Sequence, residues 1–359
     1  MKIVFITRST LYTCPGGDTL QVIHTARQLG LVGISVDIKL TTERVDYHRY
    51  DLLHFFNIIR PADMLYHIGR SNKPFAITPN LVIYQEYDRL FRRGMASLLF
   101  RYLPGDTIEY IKTISRWLRG HDALKSMDYI WKGQKRSIQQ ILQQAAMVFP
   151  SSQMEYEQLA QCNTRLPFHC IVPNGIDPAV FSGNHNLEKD PELVLCVARI
   201  EGLKNQLNLV RALNHTSYRL VIIGNAAPNQ MDYYRACRKE AAANITFINH
   251  LPQPQLAAWY ARANIHILPS WFETCGLSSL EAAAMGCRIV VSSRGYVREY
   301  YGRHAWYCHP GSPQHIRYCI EKASQQPWSD TLRQKVLRHY TWQQAAWLTL
   351  QGYKKVLNN

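Results

Sequence analysis

The sequence predicts an α/β protein of two Rossmann-like, doubly wound domains facing each other across a cleft. Three observations carry that prediction. Short apolar runs alternate with helical stretches, the signature of parallel sheets with crossover helices. At 359 residues the chain exceeds the length that one hydrophobic core usually serves. The alternation also stops at a polar, aperiodic segment, residues 182–191 (SGNHNLEKDP), and then restarts.

In the first half, Lys2–Arg8, Val36–Leu40, Asp51–Phe56, Phe75–Asn80 and Met147–Ser152 read as strands, and His169–Asp177 as a last strand with its turn. A helical insertion with Leu, Ile, Trp and Tyr at three- and four-residue spacing interrupts them at about residues 86–144. The second set of strands is Leu193–Ile200, Arg219–Asn225, Ile245–Leu251, Ile265–Ser270 and Arg288–Ser293. Thr341–Leu357 reads as an amphipathic helix. The expected division is a first domain at 1–181, a linker at 182–191, a second domain at 192–340 and the terminal helix at 341–359.

Composition narrows the class. A hydrophobic fraction of 47% and a charged fraction of 19% suit a folded globular chain. No apolar run is long enough to span a bilayer, and MKIVFITRST reads as a first strand rather than a secretory signal. Nine scattered cysteines, with no C-x-x-C pair and no zinc spacing, imply reduced thiols and a cytoplasmic location. The net charge is +15, and residues 89–136 hold eleven Lys/Arg against four Asp/Glu, a local +7. Phe91, Phe100, Tyr102, Tyr110, Trp117, Tyr129 and Trp131 interleave with those charges. A solvated helical face, a nucleic-acid surface and contact with anionic lipid headgroups all fit this pattern. No nucleic-acid motif supports the second, and Trp and Tyr among basic residues favour the third, a peripheral position on the inner face of a membrane.

The most informative segment is PSWFETCGLSSLEAAAMG, Pro269–Gly286, with seven residues between Glu273 and Glu281. Glu273 falls in the turn after an apolar strand, Gly276 at a helix start, and Glu281 about one turn inside that helix. Unpaired N–H groups at such a mouth attract anions, and a carboxylate beside them suits hydroxyls. A phosphate-bearing, hydroxyl-rich ligand such as a nucleotide sugar answers to both. An ordinary acidic helix start is the plain alternative for Glu273 alone. Arg199 and Lys204, in VARIEGLKNQ after another strand, could converge on a diphosphate; a solvated basic pair is the alternative. Gly16 and Gly17 open a helix after the first strand and allow close approach of backbone, or form a plain turn. His54, read at a strand end, could orient a sugar or accept a proton, or be a buried structural residue. His266 reads as structural. No D-x-D occurs, so phosphates must be neutralised by Arg199, Lys204 and helix N-termini; no metal and no cofactor are expected.

With these pieces placed, the chain resembles the retaining glycosyltransferases of family 4, which have the GT-B fold. The resemblance rests on E-x7-E at Glu273 and Glu281, R-x4-K at Arg199 and Lys204, VPNGID at Val172–Asp177, the Gly16–Gly17 turn and the terminal Trp342–Tyr353 helix, which looks like the family's helix returning to the first domain. It implies that Glu273 binds donor-sugar hydroxyls, Glu281 the ribose, and Arg199 and Lys204 the diphosphate. Backbone at Gly276 and Leu277 would meet sugar or phosphate, and Gly16–Gly17 would close on the phosphates. It further implies a metal-independent transfer in which the acceptor hydroxyl attacks on the face the diphosphate leaves. The chain departs from the family where His-x-His is frequent: His54 stands with Phe56. Cys275 stands where Phe is frequent.

The resulting expectation is a retaining transferase moving a sugar from a UDP- or GDP-linked donor to a glycan or lipid-linked acceptor, in cell-surface polysaccharide or glycolipid synthesis. No nucleic-acid partner is expected. Two alternatives stand beside it: an inactive sugar-nucleotide-binding relative or membrane-complex scaffold, and a nicotinamide dehydrogenase, which the missing G-x-G-x-x-G disfavours.

Overall fold

The computed structural model describes residues 1–90, 103–118, 126–162, 166–182 and 188–358. The chain divides into two compact units, residues 1–173 with 342–359, and residues 174–341.

In the first unit, β1 (Lys2–Thr7), β2 (Ser35–Leu40), β3 (Leu52–Phe56), β4 (Phe75–Thr78) and β5 (Met147–Val148) form one parallel sheet in the order β2-β1-β3-β4-β5. β1, β3 and β4 are buried along nearly their whole length, which explains why they read as continuous apolar runs rather than alternating ones. Val4, Ile6, Leu53, Phe55, Ile77 and Val148 share one core with Ile138, Ile141 and Leu142 of the Met127–Gln144 helix.

The expected strand at His169–Asp177 is reduced to two isolated bridges, Val148 with His169 and Ile176 with Thr341. β5 beside it has only two residues, and Pro173 offers no N–H to a ladder. Among the described residues the helical insertion comprises Gln85–Leu90, Gly105–Leu118 and Met127–Gln144, the last kinked at Gly133 (φ 69°, ψ −175°). Basic and aromatic residues at 91–102 and 119–125 lie outside the described residues.

The terminal helix Trp342–Leu357 belongs to this unit. It buries Trp342, Ala345, Ala346, Thr349, Gly352 and Tyr353 at helical spacing. Gly352 matters there: a Cβ would sit 2.3 Å from the Phe149 ring, so only a bare backbone fits against it.

In the second unit, β6 (Asp190–Val197), β7 (Arg219–Ile223), β8 (Ile245–Ile248), β9 (Ala263–Leu268), β10 (Arg288–Ser292) and β11 (Ala305–Cys308) form a parallel sheet in the order β11-β10-β9-β6-β7-β8. This is the doubly wound order in which the chain runs outward from β6 through β8, then returns to β6's other side with β9. Ligands of such sheets bind beyond the carboxyl ends of the two strands at that reversal. β11 was not anticipated: it is a four-residue edge strand with only Cys308 buried, too short and too exposed for an apolar signature. Of the segment expected as linker, residues 183–187 lie outside the described residues, and Asp190 and Pro191 already open β6.

No helix among the described residues is long and apolar enough to cross a membrane.

Candidate active site

The carboxyl ends of β6 and β9 bring together residues 69 positions apart. After β6 the chain keeps two more sheet-like bonds, Ala198 N to Ile223 O at 3.1 Å and Ile200 N to Asn225 O at 2.9 Å. It passes so close to the end of β7 that a Cβ on Gly224 would lie 2.0 Å from Ala198 O. A short 3-10 turn, Gly202–Lys204, follows. Asn205, in the left-handed region (φ 61°), donates from Nδ2 to Pro269 O at 3.0 Å and Pro310 O at 2.7 Å. Trp271 N donates to Leu203 O at 2.8 Å. The loop after β6 is thereby stitched to the loop after β9.

The product of that stitching is an ion pair. Lys204 Nζ lies 2.7 Å from Glu273 Oε2, and Ser270 Oγ donates to the same oxygen at 3.1 Å. Glu273 is 8% exposed. Both bonds fall on Oε2, and among the described residues no hydrogen bond reaches Oε1. Burial presses the Lys204 ammonium towards neutrality, but the charges of Glu273 and Glu201 outweigh it and hold its pKa above the ordinary value. Arg199 is more open and pairs with Glu201 Oε1 at 3.2 Å. Its charge also acts on Lys204. The loop therefore presents two cations beside a carboxylate with one free oxygen.

Glu273 is held from behind by Gly295. The two form a parallel bridge, and Tyr296 N donates to Glu273 O at 2.9 Å. Gly295 has φ 90°, and a Cβ there would fall 1.9 Å from that carbonyl. Sequence reasoning did not single out Gly295; its only signal is a glycine two residues past a strand.

Gly276 caps the Leu277–Ala284 helix with φ 67° and ψ 74°. Tyr301 OH donates to Cys275 O at 2.8 Å and contacts Gly276 O at 3.2 Å, fixing the turn. Four residues after Leu277, Glu281 is 6% exposed. Tyr260 OH donates to its Oε2 at 3.0 Å and Gln253 Nε2 to its Oε1 at 3.3 Å. Burial pushes the carboxyl up to about 7, against the two hydrogen bonds that favour its charged form. Gln253 and Tyr260 lie two helical turns apart on Gln253–Arg262; nothing in the sequence marks either. His266 is structural, as expected: it is fully buried, with Nδ1 3.2 Å from Ser279 Oγ.

In the first unit, Gly16 caps the Gly17–Leu31 helix in an extended conformation, and its N–H donates to Thr19 Oγ1 at 3.0 Å. The loop before it hangs on a residue the sequence reading passed over. Arg8 binds both oxygens of Asp18, Nε to Oδ2 at 2.5 Å and Nη2 to Oδ1 at 3.0 Å. It also donates to Thr10 O at 2.8 Å and Cys14 O at 2.9 Å.

His54 needs correction. It sits in the middle of β3, not at its end, and is 1% exposed. Its Nδ1 lies 2.5 Å from Tyr353 OH and its Nε2 2.8 Å from Thr78 Oγ1. Burial drives its pKa down to about 3. Both ring nitrogens are taken and the ring stays neutral, so this geometry gives His54 a packing role and no open nitrogen for a substrate proton.

Residues 180–338, nearly the whole second unit, match the family described as Glycosyl transferases group 1. Among curated proteins the chain is similar to glycogen synthase of Mycobacterium tuberculosis, 29% identical over 51% of this chain and 47% of that one. It is also similar to D-inositol 3-phosphate glycosyltransferase of Mycobacteroides abscessus, 29% identical over 44% of this chain and 39% of that one. The chain spans about half the length of the curated relatives it matches.

Solved structures extend the likeness over the whole chain. Sucrose-phosphate synthase from Thermosynechococcus elongatus superimposes with a TM-score of 0.75 at 17% identity, covering 100% of this chain and 99% of that one. Anabaena HepE in complex with UDP and glucose gives 0.65 at 16% identity, with 100% of both chains covered. At these identities the likeness establishes the fold, which is that of the GT-B glycosyltransferases.

Proposed function

We propose that this chain is a retaining, metal-independent glycosyltransferase of family 4 that uses a nucleotide-diphosphate sugar, UDP- or GDP-linked, and a glycan or lipid-linked acceptor. The observation that carries the reading is the Lys204–Glu273 pair at the reversal of the second sheet, with Oε1 of Glu273 free of hydrogen bonds among the described residues. Solved relatives that bind UDP and UDP-glucose support the donor class.

Each side chain then has a distinct task. Lys204 and Arg199 take the diphosphate, and as fixed cations they stabilise the charge that grows on the leaving oxygen. The first-turn N–H groups after Gly276 add to that field. Glu273 Oε1 accepts hydroxyls of the transferred sugar, while Oε2 keeps Lys204 in place. Glu281 accepts the ribose hydroxyls in its ionised form.

During transfer the bond from the sugar's anomeric carbon to the leaving phosphate oxygen breaks and a bond to the acceptor oxygen forms on the same face. The acceptor's proton passes to the departing diphosphate. No side-chain base is needed, which agrees with His54 being enclosed.

The test is incubation of the protein and a panel of UDP- and GDP-sugars with candidate acceptors in EDTA, reading the anomer of the product by NMR. Product with the donor's configuration supports the proposal. An inverted product, or transfer only when a divalent ion is supplied, overturns the mechanism.

A further inference from the structure

The helical pair Gly105–Leu118 and Met127–Gln144 carries large apolar side chains that the fold does not use. Trp131 is 85% exposed, Leu118 73%, Met127 63% and Trp117 38%. They lie at facing ends of the two helices, the last residues of one and the first of the other. The helices are tied together by Tyr110 OH donating to Ile130 O at 2.9 Å and by the Tyr110 and Tyr129 rings at 5.5 Å. The inner side of the pair is satisfied: Ile108, Tyr129, Ile138, Ile141 and Leu142 are buried. Packing therefore does not require the outer residues to be apolar, and four such exposed residues within 117–131 are more than scattered exposure.

Charge decides what covers the patch. Lys112 and Lys132 are committed to Asp88, Glu109 and Asp128. Lys135 and Arg136, just past the Gly133 kink, are exposed. The surrounding sequence 89–136 carries +7 of the chain's +15. A second copy of so basic a segment would be repelled. Nucleic acid would gain little from Leu118 and Met127, which offer no ring to stack on bases. Tryptophan and aliphatic side chains flanked by Lys and Arg are the chemistry of a water–lipid boundary with anionic headgroups.

We propose that the outer face of this helical pair docks on an anionic phospholipid bilayer. Trp131, Leu118, Met127 and Trp117 enter the headgroup layer, and Lys135 and Arg136 meet lipid phosphates. Resting on the function proposed above, this would hold the first unit at the surface where a lipid-linked acceptor is presented.

The experiment is sedimentation of the whole chain with two vesicle preparations, phosphatidylcholine alone and phosphatidylcholine containing about a third phosphatidylglycerol, at physiological ionic strength. Wild type is expected to bind the anionic vesicles at least about tenfold more strongly. Trp131→Ala with Leu118→Ser, and separately Lys135→Glu with Arg136→Glu, are each expected to lower that binding about tenfold. Equal binding to both preparations, or no loss in either variant, overturns the proposal. So does competition by a single-stranded oligonucleotide that the vesicles fail to displace. Thermal stabilisation by the panel of UDP- and GDP-sugars in EDTA is measured in parallel on wild type and variants. If it persists while vesicle binding is absent, docking alone fails. If it is absent in wild type, the transferase reading fails whatever the vesicles show.

Discussion

Tyr260 donates its phenolic O–H to Glu281 Oε2 at 3.0 Å, with both side chains buried, and so sets the orientation of the second carboxylate of the E-x7-E pattern. The bond also opposes the burial that pushes Glu281 up to about 7. Orientation and ionisation of this group thus depend on Tyr260 and Gln253, both from a different helix.

Glu281 should make stability and donor binding respond to pH in opposite directions. Its folded pKa of about 7 lies above the reference 4.5, so the native protein keeps a proton that the unfolded chain loses between those values. The stabilisation is complete below that range and is lost as pH rises through it, about 3 kcal/mol in total. Glu281→Gln removes this fall. Urea unfolding should show the variant more stable than wild type at alkaline pH and close to it under mildly acidic conditions. Donor affinity of wild type should instead rise with pH through about 7, as the carboxylate forms.

Tyr260→Phe removes a hydrogen bond to the charged form of Glu281, so the carboxyl pKa rises further. The midpoint of the donor-affinity profile is expected to move to higher pH, measured by titration calorimetry across the range. An unchanged midpoint with weaker binding at every pH would reduce Tyr260 to packing.

Gly295→Ala is expected to damage the site more than the fold. The new Cβ has no room beside Glu273 O, and φ 90° strains any L side chain. The strain alone costs about 1–3 kcal/mol. Relief by shifting Glu273 would lower kcat/KM by about 100-fold if the carboxylate stabilises the transition state. Steady-state kinetics beside denaturation curves separate the two effects.

His54 should leave no trace in the rate profile near neutrality. Its folded pKa of about 3 lies below the reference 6.5, so its contribution to stability is present above the reference and lost as pH falls from 6.5 towards 3. His54→Ala leaves Thr78 and Tyr353 without their partner and opens a cavity. A loss on the order of 3 kcal/mol is expected in denaturation, with the shape of the pH–rate curve unchanged. Loss of a limb in the rate profile would restore a catalytic role.

Much of this was legible because parallel strands buried on both faces leave continuous apolar runs. The inner strands β1, β3, β4, β7, β9 and β10 are buried nearly throughout and carry that signal. β11 does not, because an edge strand half open to water has little apolar pattern to display. Glu273 and Lys204 were visible as residue types after strand ends, and Glu281 as one inside the helix that follows. Their partners were not, since the approach of Lys204 to Glu273 depends on sheet order, and Asn205, Gly295, Tyr260 and Arg8 act through bonds with no sequence spacing. His54 was misread because a histidine inside a strand and one at its end look alike until the hydrogen bonds are placed.

The central claim is that the Lys204–Glu273 pair holds a nucleotide-diphosphate sugar without a metal. The most direct measurement is the thermal shift produced by a panel of UDP- and GDP-sugars in EDTA, on wild type, Lys204→Ala and Glu273→Ala. The account predicts stabilisation of wild type by at least one donor, with the shift abolished in both variants while each still melts cooperatively. Stabilisation that needs a divalent ion, or that survives both substitutions, would contradict it.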